Sequence, residues 1–221
     1  MVAQHAAARH SLLQVVWVRY AVHLLLMLAV FGPRRGRERV HTRRPLLQFA
    51  RALMMLVMPV SFLMASRDMS AGTVLSIFWL APLLVMALSM LLLHESGSWR
   101  SWAAGIAGLG CIVLLVHPHA PVTLRGTLLS LAMATSFALY VVLTRVLREE
   151  STVANLFYTA IGVLLPLSLW LPSFWSPLTL RDGLLMALVG CLGFAVLWLL
   201  DVAMELTSAT ATAPLLYSQQ L

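Results

Sequence analysis

The sequence has 221 residues, of which 61% are hydrophobic and only 10% are charged. A soluble domain cannot cover its surface with so little polar material, so the composition excludes an ordinary soluble protein. The formal net charge of +7 comes from fifteen arginines and no lysine, a balance that raises the question of a nucleic-acid partner.

Long apolar runs indicate membrane-spanning helices. A helix rises about 1.5 Å per residue and needs about twenty residues to cross a hydrocarbon core of about 30 Å. The runs predict spans at 12–31, 46–65, 71–93, 99–117, 127–147, 153–171 and 183–206, and an eighth that begins near Thr210. Strands are not expected, because the runs show no alternation and a sheet edge has no partner in lipid.

The arginines are distributed unevenly over the two sides that alternating spans define. Nine fall on one side: Arg34, Arg35, Arg37, Arg39, Arg43, Arg44, Arg100, Arg145 and Arg148. Four fall on the other: Arg9, Arg67, Arg125 and Arg181. The positive-inside rule therefore predicts a cytoplasmic connector at 32–45 and an external residue 1. That connector has no interleaved aromatic residues, so nucleic acid is not an expected partner.

A weak internal repeat predicts how the spans are organised. An Ala-x4-Ser-Ala pattern with an acid inside it occurs at 65–71, with Asp68, and again 138 residues later at 203–209, with Glu205. The same shift superimposes whole spans on later spans, as expected for a duplicated unit. It lays 12–31 on 150–169 and 46–65 on 184–203.

The spans at 99–117 and 127–147 have no counterpart under this shift. We therefore predict a ten-helix protein of two five-helix repeats, seen here without its first helix and without its last helix and a half. Because five is odd, the two repeats enter the membrane from opposite faces. Inverted repeats are typical of alternating-access carriers, whose substrate site lies near the midplane.

Several short motifs resemble those of one transporter family. They are Ala65-Ser66-Arg67-Asp68-Met69-Ser70-Ala71, Ala81-Pro82-Leu83, Leu93-His94-Glu95, Trp99-Arg100-Ser101-Trp102 and Gly108-Leu109-Gly110. The stretch 51–118 that contains them looks like the first half of an EamA-type permease of the drug/metabolite transporter superfamily. The segment 17–20 resembles the second helix of that family, and 213–219 resembles the start of its ninth.

The resemblance implies an all-α polytopic membrane protein made of two inverted five-helix repeats. Residues 1–118 would form the first EamA-like repeat without its first helix. Residues 119–221 would form the second repeat without its last helix and a half, which gives seven full spans and part of an eighth. The implied activity is export or exchange of a substrate.

The expected function is that of a secondary transporter in the bacterial cytoplasmic membrane. Its substrate would be a small metabolite, such as an amino acid, an amino-acid derivative or a similar polar or aromatic compound. The alternatives are a non-transporting fragment or scaffold and, less favoured, an intramembrane enzyme. The sequence has no HExxH, no GxSxG and no lysine, which disfavours metalloprotease, hydrolase and P-loop chemistry.

Arg19 and His23 are the first candidate site residues, because a charge inside a span costs at least about 2.5 kcal/mol and is seldom kept without a purpose. They are four residues apart and share a helix face. Arg19 is expected to bind an anion or a carboxylate in a central cavity. Its alternatives are pairing with helix carbonyls and snorkelling outward. His23 is more often a packed residue at such a place, with proton carrying as the alternative.

Arg51 and Asp201 form the second candidate set. Each lies about five residues from the cytoplasmic end of its span, so matched depth and opposite charge predict a pair that couples the two repeats. The alternative is that both side chains reach the headgroups, since five residues rise only about 7.5 Å.

A third set consists of aromatic and polar residues that could line a substrate path: Trp79, Pro82, Tyr140, Tyr217 and Gln219. Each is also explained by ordinary packing. The expected partners are a small-molecule substrate and the lipid bilayer, with a homodimer as a further option. No cofactor and no metal are expected, because Cys111 and Cys191 are isolated within spans.

Overall fold

The computed structural model describes residues 10–31, 41–116 and 122–220, except the side chains of 113, 115, 116 and 218–220. Arg9, the arginines at 34, 35, 37 and 39, and the side chain of Gln219 lie outside this description. The helices are α1 (Leu12–Phe31), α2 (Pro45–Ala65), α3 (Ala71–Phe78), α4 (Ala81–Leu93), α5 (Trp99–Val116), α6 (Leu124–Val146), α7 (Thr152–Leu169), α8 (Leu171–Phe174), α9 (Leu180–Leu206) and α10 (Ala209–Thr212). A 3₁₀ helix (Ala213–Gln220) follows α10.

The predicted all-α membrane class is confirmed. Among the described residues there is no strand, and six helical stretches are long and apolar enough to cross a bilayer. They are α1, α2, the combined stretch Ala71–Leu93, α6, α7 and α9. Helix α5 occupies the predicted fourth span with 18 residues and stands outside those six.

Two helices begin three residues earlier than hydropathy predicts, because a threonine caps each of them. The N–H of Gly126 donates to the Thr123 hydroxyl at 3.1 Å, so α6 begins at Leu124 rather than at 127. The N–H of Asp182 donates to the Thr179 hydroxyl at 3.2 Å, so α9 begins at Leu180 rather than at 183. A hydropathy window locates the apolar run and misses a polar first turn.

The predicted third span is a broken helix. Helix α3 ends at Phe78 and α4 begins at Ala81. Pro82 lies in the first turn of α4, where its missing N–H has no intrahelical acceptor to lose. Pro82 therefore marks the start of a second helix rather than a kink inside a continuous one.

The chain divides into two compact units. The first comprises Met1–Leu56 and Leu147–Val202, and the second comprises Val57–Val146 and Ala203–Leu221. In the first unit α1 packs along α7, and the Gln14 amide donates to the Ser176 carbonyl at 2.7 Å, which ties the connector before α9 to α1.

In the second unit α3 and α4 pack on α6, and the 3₁₀ helix packs on α4 and α5. A buried apolar cluster fills the space between these elements. It includes Met69, Val74, Phe78, Trp79, Ile112, Met133 and Tyr217. Close packing of this kind, rather than hydrophobic burial, holds helices together in lipid.

One carboxylate joins three elements of the second unit. His94 ends α4 in the left-handed conformation, with φ 55°, and Glu95 follows it. The Arg145 Nε of α6 donates to Glu95 Oε1 at 3.0 Å, and the Thr210 N–H of α10 donates to Oε2 at 3.2 Å. Arg145 also donates to the Met204 carbonyl near the end of α9.

We expect Glu95→Ala to lower the free energy of unfolding by about 3 kcal/mol, because it leaves the Arg145 charge without its carboxylate and the Thr210 N–H without its acceptor. Asp68→Ala is the matched control. Its ion pair with Arg125 is longer, at 3.7 Å, and the Arg125 side chain is 64% exposed, so its loss should cost less than about 1 kcal/mol. Reversible unfolding in detergent micelles measures both values. Equal losses of unfolding free energy from the two substitutions would show that Glu95 contributes no more to stability than Asp68 does.

Candidate functional site

The predicted site residues fall into two groups, one in each unit. Arg19, His23, Arg51 and Asp201 belong to the first unit. The second unit holds the path-lining candidates whose side chains the structure describes: Trp79, Pro82, Tyr140 and Tyr217.

Arg51 and Asp201 lie in contact inside the first unit. Arg51 Nη1 donates to Asp201 Oδ1 at 3.2 Å, and Nη2 donates to Oδ2 at 3.4 Å. This two-point geometry matches the planar guanidinium to the carboxylate. The side chains are only 0% and 2% exposed, so both charges lie within the protein.

Two residues of α7 complete this cluster, and sequence analysis missed both. Arg51 Nη2 also donates to the Thr159 hydroxyl at 2.9 Å and to the Asn155 carbonyl at 3.2 Å. The Asn155 amide donates to Asp201 Oδ1 at 3.4 Å, and the Gln48 amide donates to Asn155 Oδ1 at 2.6 Å. The available signal was the spacing of Asn155 and Thr159, which are four residues apart on one face of an apolar span.

The cluster adds further hydrogen bonds to the buried pair. Taking two charges out of water costs several kcal/mol each, and their attraction offsets this only when further polar groups satisfy them. Asn155 hydrogen-bonds to both partners, since its backbone carbonyl accepts from Arg51 and its side-chain amide donates to Asp201. The arrangement therefore fixes α2, α7 and α9 to one another within the first unit.

We expect Asp201→Leu to lower the free energy of unfolding by about 3 to 5 kcal/mol, because it leaves the Arg51 charge buried without its counter-ion. The double variant Arg51→Met with Asp201→Leu should recover most of that loss, since no buried charge remains. A double-mutant cycle on protein in detergent measures the coupling. Additive losses would show that the two side chains stabilise the fold independently.

Arg19 has a different environment from Arg51. Its guanidinium carbon lies 5.6 Å from the centre of the Tyr20 ring, and its Nε lies close to Gly193 of α9. Within the described part of the chain, Arg19 has neither a carboxylate within ion-pair distance nor a hydrogen-bond acceptor for its guanidinium. The permanent charge of Arg19 therefore lies inside a membrane span, with the face of the Tyr20 ring beside it.

His23 lies one turn along α1 from Arg19 and is 1% exposed. Its ring packs against two aromatic rings of the first unit, Tyr20 at 5.9 Å and Phe194 at 5.1 Å between ring centroids. Its Nε2 is buried and, among the described residues, makes no hydrogen bond. Side-chain nitrogens that are buried without a hydrogen bond are rare in native proteins, so each one calls for an explanation.

The second group is tightly packed. The Tyr217 hydroxyl donates to the Trp79 carbonyl at 2.9 Å, and the two rings lie 6.0 Å apart between centroids. Gly108 of α5 lies against the Tyr217 ring, and Tyr140 is fully buried in α6. The Trp79 carbonyl, which lies at the break between α3 and α4, thus has a hydrogen-bond donor within the second unit. A role of these residues in a substrate path stays a prediction.

Comparison with known proteins gives one family and a consistent set of relatives. The model of the EamA-like transporter family matches residues 1–117. The chain is 26% identical over 218 residues to an S-adenosylmethionine uptake transporter of Rickettsia bellii, which covers 98% of this chain and 75% of the relative. It is 24% identical over 221 residues to the S-adenosylmethionine uptake transporter of Rickettsia prowazekii, which covers 98% of this chain and 74% of the relative.

A solved crystal structure shares the fold. It superimposes with a TM-score of 0.82 at 17% sequence identity, over 98% of this chain and 77% of that one. The six apolar helices and the transporter relatives identify a multi-pass protein of the cell membrane that transports rather than catalyses.

Proposed function

We propose that this chain, which belongs to the EamA-like transporter family, carries a small metabolite bearing a carboxylate across the membrane by alternating access. The observation that carries the proposal is the unpaired Arg19 inside α1, next to the orphaned ring nitrogen of His23. S-adenosylmethionine is the first candidate substrate. It carries a carboxylate, and it is the substrate after which the two Rickettsia relatives are named.

The energetics favour an anionic group opposite Arg19. A lone arginine in the middle of a span costs about 2.5 to 3.5 kcal/mol on insertion scales, and more when it cannot reach water. A bound carboxylate would make charge-assisted hydrogen bonds that return part of that cost. Arg51 is a poor candidate for this role, because Asp201, Asn155 and Thr159 already occupy its guanidinium.

The direction that we propose is uptake or exchange. Sequence analysis expected export or exchange, whereas the relatives are named uptake transporters. An alternating-access carrier works in either direction, and the concentrations of substrate on the two sides decide which one dominates. Exchange satisfies both expectations, and export alone is the alternative that transport measurements would reveal.

The inverted-repeat architecture, with repeats at 1–118 and 119–221 and seven spans plus part of an eighth, is also a proposal. Its support is a matched pair of helix caps 138 residues apart. The Ser70 hydroxyl accepts from the Thr73 N–H, and the Ser208 hydroxyl accepts from the Ala211 N–H. Both serines have extended backbones, with ψ of 146° and 150°. The same shift relates α1 to α7 and α2 to α9.

Each compact unit then draws on both proposed repeats, and the Arg51 to Asp201 contact joins them within the first unit. We propose that this pair ties the repeats together in one of the two access states. Trp79, Pro82, Tyr140, Tyr217 and Gln219 stay proposed path-lining residues. The bilayer and a second copy of the chain stay proposed partners.

We expect Arg19→Ala to reduce S-adenosylmethionine transport at least about tenfold, because the carboxylate loses its counter-ion. Uptake of labelled substrate into proteoliposomes measures this, with the wild-type protein as reference. Arg181→Ala is the control, since Arg181 is an exposed arginine in the first turn of α9. Unchanged transport by a correctly inserted Arg19→Ala protein would remove Arg19 from the site. Absence of any S-adenosylmethionine transport by the wild type would remove that substrate.

A further inference from the structure

Helix α9 contains three glycines, Gly183, Gly190 and Gly193, and each has different neighbours. Gly193 lies against the Arg19 side chain. An ideal Cβ built at Gly193 would lie 2.5 Å from Arg19 Nε and 3.1 Å from Arg19 Cζ and Nη2. No real side chain tolerates the first of these distances, so the guanidinium occupies the space that a Cβ would fill. Any residue larger than glycine at 193 displaces the head of Arg19.

The space beside Gly193, here called the notch, explains how the Arg19 guanidinium stays inside the span. A long cationic side chain in lipid ordinarily extends towards the headgroups, because water solvates its charge there. Here the head rests on α9 instead, with the Tyr20 ring 5.6 Å away. The next residue of α9, Phe194, packs its ring edge-on against His23. Two successive residues of α9 therefore set the positions of the two candidate ligand-binding groups of α1.

We propose that Gly193 is a positioning residue, which fixes the Arg19 guanidinium where the carboxylate of the substrate binds. The inference rests on the proposed function and adds a residue that makes no contact with the substrate itself. A donor held in place before binding loses little conformational freedom when the ligand arrives, and that preorganisation appears as affinity. A displacement of the guanidinium by about 1 Å is enough to lose that gain in affinity.

The other two glycines provide matched controls in the same helix. A Cβ at Gly190 would lie 2.7 Å from Val22 Cβ and 3.2 Å from the Arg19 carbonyl, so it would push α1 and α9 apart. A Cβ at Gly183 would meet nothing within 4 Å. Only at Gly193 does the clash involve the far end of a flexible side chain, which can rotate away without disturbing the helices.

The test compares Gly193→Ala with Gly183→Ala and Gly190→Ala. For S-adenosylmethionine transport in proteoliposomes, we expect Gly193→Ala to raise KM roughly ten- to a hundredfold with the maximal rate within about twofold. Decarboxylated S-adenosylmethionine, which lacks the carboxylate, should show the same KM in Gly193→Ala as in the wild type. Gly183→Ala should match the wild type with both compounds. A KM that rises equally for both compounds would overturn the proposal.

A second measurement needs no transport activity. Phenylglyoxal modifies exposed guanidinium groups, and peptide mapping reads the modification of Arg19 separately from that of the other arginines. We expect Gly193→Ala to change the rate at Arg19 severalfold, and Gly183→Ala to leave it at the wild-type rate. An unchanged rate at Arg19 in Gly193→Ala overturns the positioning role whether or not S-adenosylmethionine is the substrate.

Stability separates positioning from helix packing. Gly193→Ala should unfold at a temperature close to that of the wild type, whereas Gly190→Ala should unfold well below it. A Gly193→Ala protein that fails to insert, or that unfolds as early as Gly190→Ala, contradicts the proposal, because residue 193 would then hold the helices together. If Gly193→Ala behaves as the wild type while Arg19→Ala loses transport, the proposed function stands and the positioning role falls.

Discussion

In a bilayer a polar group that does not reach water is costly unless it finds a partner inside the protein, and this constraint accounts for the main features of the chain. The backbone meets it by forming helices, in which each residue hydrogen-bonds within its own segment. Side chains meet it through local clusters. Arg51 is the clearest example, because its guanidinium is fully buried and contacts Asp201, Asn155 and Thr159 within hydrogen-bond distance.

The same constraint explains why the all-α membrane class could be predicted from sequence. A segment that crosses lipid has to be apolar over about twenty residues, so composition alone marks the spans and excludes strands. The ends of the spans are less predictable, since a cap such as Thr123 or Thr179 lies among polar residues that a hydropathy window averages away. A hydropathy average also misses the break between α3 and α4, because the apolar run continues through it and Pro82 lies in the first turn of α4.

The candidate site was predictable in part, for a related reason. An ionisable residue in an apolar run is conspicuous, which is why Arg19, His23, Arg51 and Asp201 emerge from the sequence. The residues that surround them cannot be identified in this way. Asn155 and Thr159 carry no charge, and many polar residues in spans only bond their own backbone, as Thr144 does to Tyr140. Nothing in the sequence distinguishes Gly193 from Gly183, because the difference lies in which side chain of another helix rests against each.

The contrast between the two arginines gives a physical reason to separate scaffold from site. Arg51 has four acceptor atoms, so its charge is compensated before any ligand arrives, and a ligand would have to compete with Asp201 for it. Arg19 has an aromatic face and a notch but, among the described residues, no acceptor. The cost of desolvating the Arg19 charge is therefore present before substrate binds. A bound carboxylate reduces that cost, and the reduction appears as binding affinity. Under the proposed function, the buried pair keeps the helices in register while the unpaired arginine supplies the driving force for binding.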